Sequence, residues 1–216
     1  RLCMTKTWVY ARSREWVRSN GRRGIPTVKL GRYYRYRQDA IDRLVEMQLG
    51  VWQFLPLGPT AYGDSPYQPL SAFAGNANLI GLDPLLRLGL LCLDELQTLA
   101  DLPRDHVEYG RLIPLKCALL ARAAERFQAR EGNGLKAEYE EFLHANAARW
   151  LDDFALFRVL KSAHGERPWP EWQPAYVRRE AAALAGARND FRAAIEHTRI
   201  TQFLFDRQWR ALKAYA

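Results

Sequence analysis

The sequence predicts a mainly α-helical chain that also contains a small β-hairpin and one buried strand. Three observations support this fold class. Apolar residues recur at helical spacing through most of the chain beyond Asn76, two short strand-like segments flank Gly31-Arg32, and Val51–Leu55 is β-branched, aromatic or aliphatic except for one Gln. We therefore expect a hairpin-containing head followed by a helical part.

Residues 1–49 carry the whole net charge of the chain. They contain 12 Lys or Arg residues and four Asp or Glu residues, so their net charge of +8 equals that of all 216 residues. The remaining residues are neutral as a group. We predict two domains, 1–49 and 50–216, and a basic head of this kind favours nucleic acid as a partner.

The head is expected to contain a helix, a hairpin and a second helix. Thr5 is a suitable N-cap for a helix over Lys6–Arg18. Ile25–Leu30 and Tyr33–Arg37 are typical of two strands joined by a tight turn, and a helix is expected over Asp39–Gln48.

The segments MTKTWVYARSREW and IPTVKLGRYYRYRQDAI resemble the winged helix-turn-helix of excisionase-like DNA-binding domains. The resemblance implies that the first helix lies in a major groove and that the hairpin contacts the DNA backbone or the minor groove. The residues implied to contact duplex DNA are Lys6, Thr7, Tyr10, Arg14, Lys29, Arg32 and Tyr34. Such domains begin with a further bracing helix, of which only Arg1-Leu2-Cys3 could be a remnant. A solvated basic face is the alternative interpretation.

The stretch from Gly50 to Asn76 combines a predicted strand with a polar aromatic loop. Val51–Leu55 is typical of a strand buried on both faces, and Pro56-Leu57-Gly58-Pro59 ends it. The loop that follows places aromatic rings beside carboxylate, hydroxyl and amide groups. Those residues are Tyr62, Asp64, Ser65, Tyr67 and Gln68. Rings beside such groups suit a polyhydroxylated ligand, which indicates a sugar.

Three segments of residues 50–216 resemble the 4-α-glucanotransferases, also known as amylomaltase or disproportionating enzyme. They are LPLGPTAYGDSPYQPLSAFAGN, WLDDFALFRVLKSAHGERPWPEWQ and TQFLFDRQWRALKAYA. The resemblance implies a truncated (β/α)8 barrel that consists of one barrel strand and a helical insertion, joined to the winged helix-turn-helix-like head.

The same resemblance assigns roles in sugar binding. It implies that Tyr67 packs on a glucose ring, that Ser65 and Gln68 lie near hydroxyl groups, and that Tyr62 makes a further glucan contact on the outer side of the loop. We expect Asp64 to hold the loop through an Asx-type hydrogen bond. The implied partner is a maltooligosaccharide or α-glucan, bound weakly.

No catalytic residue is assigned. The family resembles the retaining amylases, in which two carboxyl groups lie about 5 Å apart across the scissile bond. The family sequences that carry these acids, Arg-Ile-Asp-His-Phe, Glu-Asp-Leu-Gly and His-Asp-Asn, do not occur here, and nothing in the sequence pairs Asp64, Asp152 and Asp153. We therefore expect this chain to be inactive by itself.

Beyond Asn76 the periodicity predicts helices with apolar stripes. The predicted spans are Leu82–Leu88, Cys92–Leu99, Tyr109–Arg130, Leu135–His144, Asn146–Ser162, Pro174–Leu184 and Asp190–Tyr215. The last span has Ile200, Phe203, Leu204, Trp209 and Leu212 on one face, which is typical of a helix that packs against a core.

Cysteine and charge patterns narrow the class of protein. Cys3, Cys92 and Cys117 are few and widely spaced, which favours reduced thiols in the cytoplasm. No Cys or His pair has metal-ligand spacing, so we expect neither a metal nor a cofactor. The longest apolar run, Leu85–Leu93, contains Arg87 and is too short to span a membrane.

Three functional hypotheses remain open at this point. The chain derives from a 4-α-glucanotransferase that transfers α-1,4-glucan segments, it is a DNA-binding protein of the helix-turn-helix type, or it is a non-functional fusion of two truncated genes.

Overall fold

The computed structural model describes residues 28–30, 33–35, 42, 46, 54–103, 105–130, 132 and 134–215. The predicted helix Lys6–Arg18 lies outside these residues. Within the first 49 residues, strands β1 (Val28–Leu30) and β2 (Tyr33–Arg35) pair antiparallel, with Lys29 opposite Tyr34. Whether this pair belongs to a winged helix-turn-helix stays a prediction.

The predicted strand Val51–Leu55 is not found where it can be checked. Residues 51–53 lie outside the described part, and Phe54 and Leu55 are not in a strand. A buried strand needs a neighbour to satisfy its backbone groups. From residue 54 onward, the described chain contains only an isolated antiparallel bridge, between Thr60 and Pro69. The prediction is therefore wrong for Phe54 and Leu55. Their composition is typical of a buried strand, but no described segment pairs with them.

The described chain from residue 83 is mainly helical, as predicted. Its helices are α1 (Asp83–Arg87), α2 (Leu93–Leu96), α3 (Tyr109–Ala129), α4 (Lys136–Asn146), α5 (Asp152–Ala163), α6 (Pro174–Val177), α7 (Ala181–Asp190) and α8 (Arg192–Tyr215). Short 3-10 turns occur at Tyr62–Asp64, Ala77–Leu79, Gln97–Leu99 and Trp169–Glu171. Among the described helices, none combines the length and apolar character of a membrane span.

Helix α8 lies at the centre and packs against α3, α4, α5 and α7. Its residue Phe203 is almost fully buried, and its ring centroid lies 5.3 Å from that of Tyr139 and 5.8 Å from those of Phe127 and Phe142. A second apolar cluster forms where α5 and α7 meet the start of α8, with Trp172 inside it. The long helices predicted from periodicity therefore obtain their stability from two adjoining cores.

Helix α2 is fixed to α3 through Glu95. The Cys92 backbone N–H donates to the Glu95 carboxylate at 2.9 Å, as in a capping box, and both Nη atoms of Arg126 donate to the same carboxylate at 2.6 and 3.0 Å. The Arg126 guanidinium, followed by the Cys92 N–H, lowers the pKa of Glu95 to about 2. The short helix α2 thus depends on an ion pair with its neighbour.

A wide π-helical turn, Ala147–Leu151, connects α4 to α5 without a break. Asn146 spans this turn with both ends of its side chain. Its Nδ2 donates to the Phe142 carbonyl at 2.8 Å, and its Oδ1 accepts from the Trp150 indole N–H at 2.9 Å. A helix was predicted to begin at Asn146. In the structure Asn146 instead ends α4, and the backbone changes there from α-helical to π-helical hydrogen bonding before α5 begins.

The single predicted helix Pro174–Leu184 is wrong, because the structure divides it into α6 and α7. Arg179, between the two, has a left-handed backbone with φ of 54°. The Glu180 N–H donates to the Ala175 carbonyl at 2.9 Å and the Arg179 N–H donates to Tyr176, a Schellman-type helix end. Such ends usually carry glycine, and an arginine at this position gives no sequence signal.

Candidate functional site

The loop of residues 57–76, called here the 57–76 loop, is closed at its base by backbone hydrogen bonds. The Asn76 N–H donates to the Leu57 carbonyl at 2.7 Å, and the Leu70 N–H donates to the Pro59 carbonyl at 2.9 Å. The bridge between Thr60 and Pro69 adds a third connection. The two ends of the loop therefore run side by side, and residues 61–68 form its tip.

The tip is a sequence of tight turns that presents polar and aromatic residues together. Gly63 and Asp64 have φ of 63° and 53°, and the Asp64 N–H donates to the Ala61 carbonyl at 3.3 Å. Ser65 accepts twice, through Oγ from the Tyr67 N–H at 3.3 Å and through its carbonyl from the Gln68 N–H at 3.3 Å. Ser65 thus shapes the turn itself and keeps its hydroxyl hydrogen for donation.

The structure brings the predicted sugar-binding residues into one short exposed segment. Tyr67 is 57% exposed, Gln68 is exposed, and Asp64 and Ser65 are half-buried. Tyr62 lies in the same 3-10 turn as Asp64 by its backbone. The predicted residues are neighbours in space because the turns fold the tip back on itself.

Two glutamines of α8 hold the segment that follows the tip. Gln202 Oε1 accepts from the Gly75 N–H at 2.8 Å, while its Nε2 donates to the Gly75 carbonyl at 3.0 Å. Gln208 forms the same reciprocal pair with Gly81, at 2.7 and 3.0 Å. Gly75 and Gly81 are six residues apart, as are Gln202 and Gln208, so the segment and α8 are joined at two matching positions.

Position 75 requires glycine because the ring of Phe205 packs directly against its backbone. A Cβ atom at this position would lie 2.0 Å from Cδ1 of Phe205, which leaves no room for a side chain. Further along, the buried Lys116 donates through Nζ to the Asn78 carbonyl at 2.7 Å. Helices α3 and α8 therefore both bind the backbone of residues 75–81.

A groove of about 500 Å³ lies at the base of the loop. Phe73 is 71% exposed and stacks on Trp150, with ring centroids 6.4 Å apart, while Phe54 meets Trp209 edge-on at 5.2 Å. Asp206 lines the same groove. Burial raises the pKa of Asp206 although its carboxylate pairs with Arg210 at 2.7 Å.

Comparison with known proteins decides the family. The family model for 4-alpha-glucanotransferase, glycoside hydrolase family 77, matches residues 26–216. The chain belongs to this family. The matched range begins ahead of Gly50 and includes β1 and β2, whereas a division of the chain at Gly50 stays a prediction.

Several 4-alpha-glucanotransferases are similar over most of this chain. That of Thermus thermophilus is 41% identical over 182 residues, which is 84% of this chain and 35% of that protein. That of Streptococcus pneumoniae is 38% identical over 190 residues, which is 87% of this chain and 37% of that protein. The chain therefore spans about a third of the length of the curated relatives it matches.

A solved 4-alpha-glucanotransferase fold supports the same assignment. The amylomaltase from Streptococcus agalactiae in complex with acarbose matches with a TM-score of 0.74 and 36% sequence identity. The match covers 81% of this chain and 35% of that one. The helical arrangement described above is thus that of part of an amylomaltase.

Two of the three acidic residues considered for a role in 4-alpha-glucanotransferase chemistry, Asp152 and Asp153, form ion pairs. Asp152 accepts from Arg199 Nη2 at 2.6 Å. Asp153 contacts Arg179 at 3.1 Å and Arg188 at 3.4 Å. Within the described residues, no group of three or more His, Cys, Asp or Glu side chains could hold a metal ion. The carboxylates of α5 therefore connect helices.

Of the seven residues predicted to contact DNA, the structure describes Lys29 and Tyr34. Lys29 and Tyr34 are opposite each other in the pair of β1 and β2. Lys6, Thr7, Tyr10, Arg14 and Arg32 lie outside the described residues. The DNA-binding hypothesis therefore stays a prediction.

Sequence reasoning missed Gln202 and Gln208. The predicted stripe on the last helix contained Ile200, Phe203 and Leu204, and Gln202 lies inside it with only 4% of its surface exposed. A polar residue within an apolar stripe is the signal that was available, because a buried amide needs partners. The sequence does not show which backbone groups supply them.

Proposed function

We propose that the 57–76 loop binds an α-1,4-glucan as part of a 4-α-glucanotransferase, an enzyme that transfers glucan segments between maltooligosaccharides. The observation that carries this proposal is the tip of the loop, where Tyr67 is exposed beside Ser65 and Gln68 on a tightly hydrogen-bonded turn. Family membership and the acarbose complex of the Streptococcus agalactiae amylomaltase support it.

The proposed roles follow from the chemistry of a glucose unit. Such a unit has apolar C–H faces and hydroxyl groups at its rim, so an aromatic ring covers a face and short polar side chains bind the rim. Tyr67 stacks on one glucose ring, and Gln68 and the Ser65 hydroxyl bind hydroxyl groups. Asp64 accepts from a further hydroxyl or holds the turn, and Tyr62 contacts glucan on the outer side.

Binding is expected to be weak and to depend on Tyr67. A single aromatic platform supports millimolar affinity, on the order of −4 kcal/mol. Titration with maltoheptaose should shift the NMR signals of Tyr67 and its neighbours, and Tyr67→Ala should remove these shifts.

Trp169→Ala provides the matched control for this titration. Trp169 is 54% exposed but lies in the Trp169–Glu171 turn between α5 and α6, so its replacement should leave the maltoheptaose titration unchanged. Saturating maltoheptaose without a shift at Tyr67 in the unmodified chain would contradict glucan binding by the loop.

Transfer chemistry is a separate matter, and we propose that these 216 residues alone bind glucan without transferring it. Retaining transfer requires two carboxyl groups about 5 Å apart. Asp152 and Asp153 are engaged by arginines, and Asp64 lies on the loop tip. Incubation of the purified chain with maltotriose should release no glucose above a blank without protein. Glucose release that survives Asp64→Asn would show that other carboxylates of the chain perform the chemistry.

A further inference from the structure

We propose that Gln202 is a positioning residue for the glucan site, and that its two hydrogen bonds to Gly75 set the conformation in which the 57–76 loop presents Tyr67. This inference rests on the proposed function. Gln202 does not touch the sugar in this scheme, and it acts through the backbone of the loop.

The contacts of Gly75 connect helix α8 to the base of the 57–76 loop. Gln202 binds both backbone polar groups of Gly75, and the adjacent Asn76 N–H donates to the Leu57 carbonyl at the opposite end of the loop. Phe205, one turn along α8 from Gln202, closes the remaining space beside Gly75. A change at residue 202 therefore reaches both ends of the loop at once.

Only a side chain that donates and accepts at the same end can make this pair. A primary amide does so, because its NH₂ group donates and its carbonyl oxygen accepts. A carboxylate accepts only, so it would leave the Gly75 carbonyl without a donor and facing negative charge. A protonated carboxylic acid donates and accepts again, which makes Gln202→Glu a variant whose function is restored by protons.

Gln208 supplies a matched control within the same helix. It makes the same reciprocal pair with similar distances, but its partner Gly81 lies beyond the end of the 57–76 loop. Gln208→Glu therefore introduces the same charge into α8 and breaks the same kind of pair without acting on the loop. Asp206 and Arg149, the ionisable groups that share the groove with Gln202, are present in both variants.

The experiment measures maltoheptaose affinity from the Tyr67 NMR shifts over a range from about pH 8 to about pH 5, within which a buried glutamic acid becomes protonated. At the alkaline end Gln202→Glu should bind about tenfold more weakly than the unmodified chain, and at the acidic end it should come within about twofold of it. Gln208→Glu should stay within about twofold of the unmodified chain throughout. Gln202→Met, which has similar volume and no charge, should bind weakly at every pH.

A readout without sugar separates this inference from the proposed function. The NMR shift of the Gly75 carbonyl carbon should change in Gln202→Glu at alkaline pH, where this carbonyl has lost its donor, and should return towards that of the unmodified chain once the acid is protonated. If the unmodified chain binds no maltoheptaose, the proposed function fails, and the shift of the Gly75 carbonyl carbon together with the Tyr67 amide shift still decides whether Gln202 positions the loop.

Two results would overturn the positioning role. One is an affinity of Gln202→Glu at alkaline pH equal to that of the unmodified chain, with the shift of the Gly75 carbonyl carbon also unchanged. The other is an equal loss in Gln208→Glu, which would mean that any charge in α8 weakens binding through general destabilisation. Circular dichroism at each pH confirms that the compared variants are helical.

Discussion

Replacement of Gly75 by alanine is expected to lower the free energy of unfolding by about 2–3 kcal/mol, the upper part of the range for overpacked positions. The added Cβ would lie 2.0, 2.2 and 2.4 Å from the Cδ1, Cε1 and Cγ atoms of Phe205. Relief requires movement of the Phe205 ring or of the Gly75 backbone, and the backbone is held by Gln202. Urea unfolding followed by circular dichroism measures the loss.

The same substitution at Gly186 is the control for Gly75→Ala. Gly186 lies within α7, and apart from its chain neighbours and the backbone of its own helix no described atom comes within 4 Å of the position of an added Cβ. Alanine in a helix interior is favoured over glycine by about 0.5–1 kcal/mol, so Gly186→Ala should stabilise the chain. Equal shifts of the two variants in the same direction would show that the contact with Phe205 is not the cause.

Phe203→Ala should have the largest effect on stability, about 3–5 kcal/mol. Phe203 is 3% exposed and contacts the rings of Phe127, Tyr139 and Phe142 from the middle of the first core. Its removal leaves a cavity among three rings on α3 and α4, which cannot all collapse towards α8. The midpoint of urea unfolding should fall accordingly, with the helical signal at zero urea as the test of residual folding.

Phe73→Ala is the matched control for Phe203→Ala. Phe73 is highly exposed and contacts the Trp150 ring on one side, so its removal should cost less than about 1 kcal/mol. A cost at Phe73 as large as that at Phe203 would contradict the assignment of the core to the α3, α4 and α8 cluster.

The sequence predicted the long helices because helical periodicity is a local property. Tyr109–Ala129 and Arg192–Tyr215 each differ from their predicted spans by no more than two residues. The residues of the loop tip could also be chosen from the sequence, because they are contiguous. Their role in sugar binding stays a prediction.

Other features depend on partners that are distant along the chain. Gln202 and Gly75 are separated by 127 residues, and nothing local to either residue identifies the other. Val51–Leu55 was assigned to a strand by composition, yet a strand exists only if a neighbour pairs with it. The division between α6 and α7 at Arg179 escaped prediction since its left-handed backbone is stabilised by the helix-end hydrogen bonds rather than by glycine.

The π-helical turn Ala147–Leu151 allows one continuous helical segment to pack into both apolar clusters. An α-helix advances about 100° per residue, so a turn that accommodates one extra residue changes the rotational phase of everything after it by about that angle. Before the turn, the buried residues Tyr139 and Phe142 point into the first cluster, and after it Ala155 and Val159 point into the second. The helical segment from Lys136 to Ala163 therefore faces the first cluster before the π-helical turn and the second cluster after it, and the turn supplies the change of phase between the two buried faces.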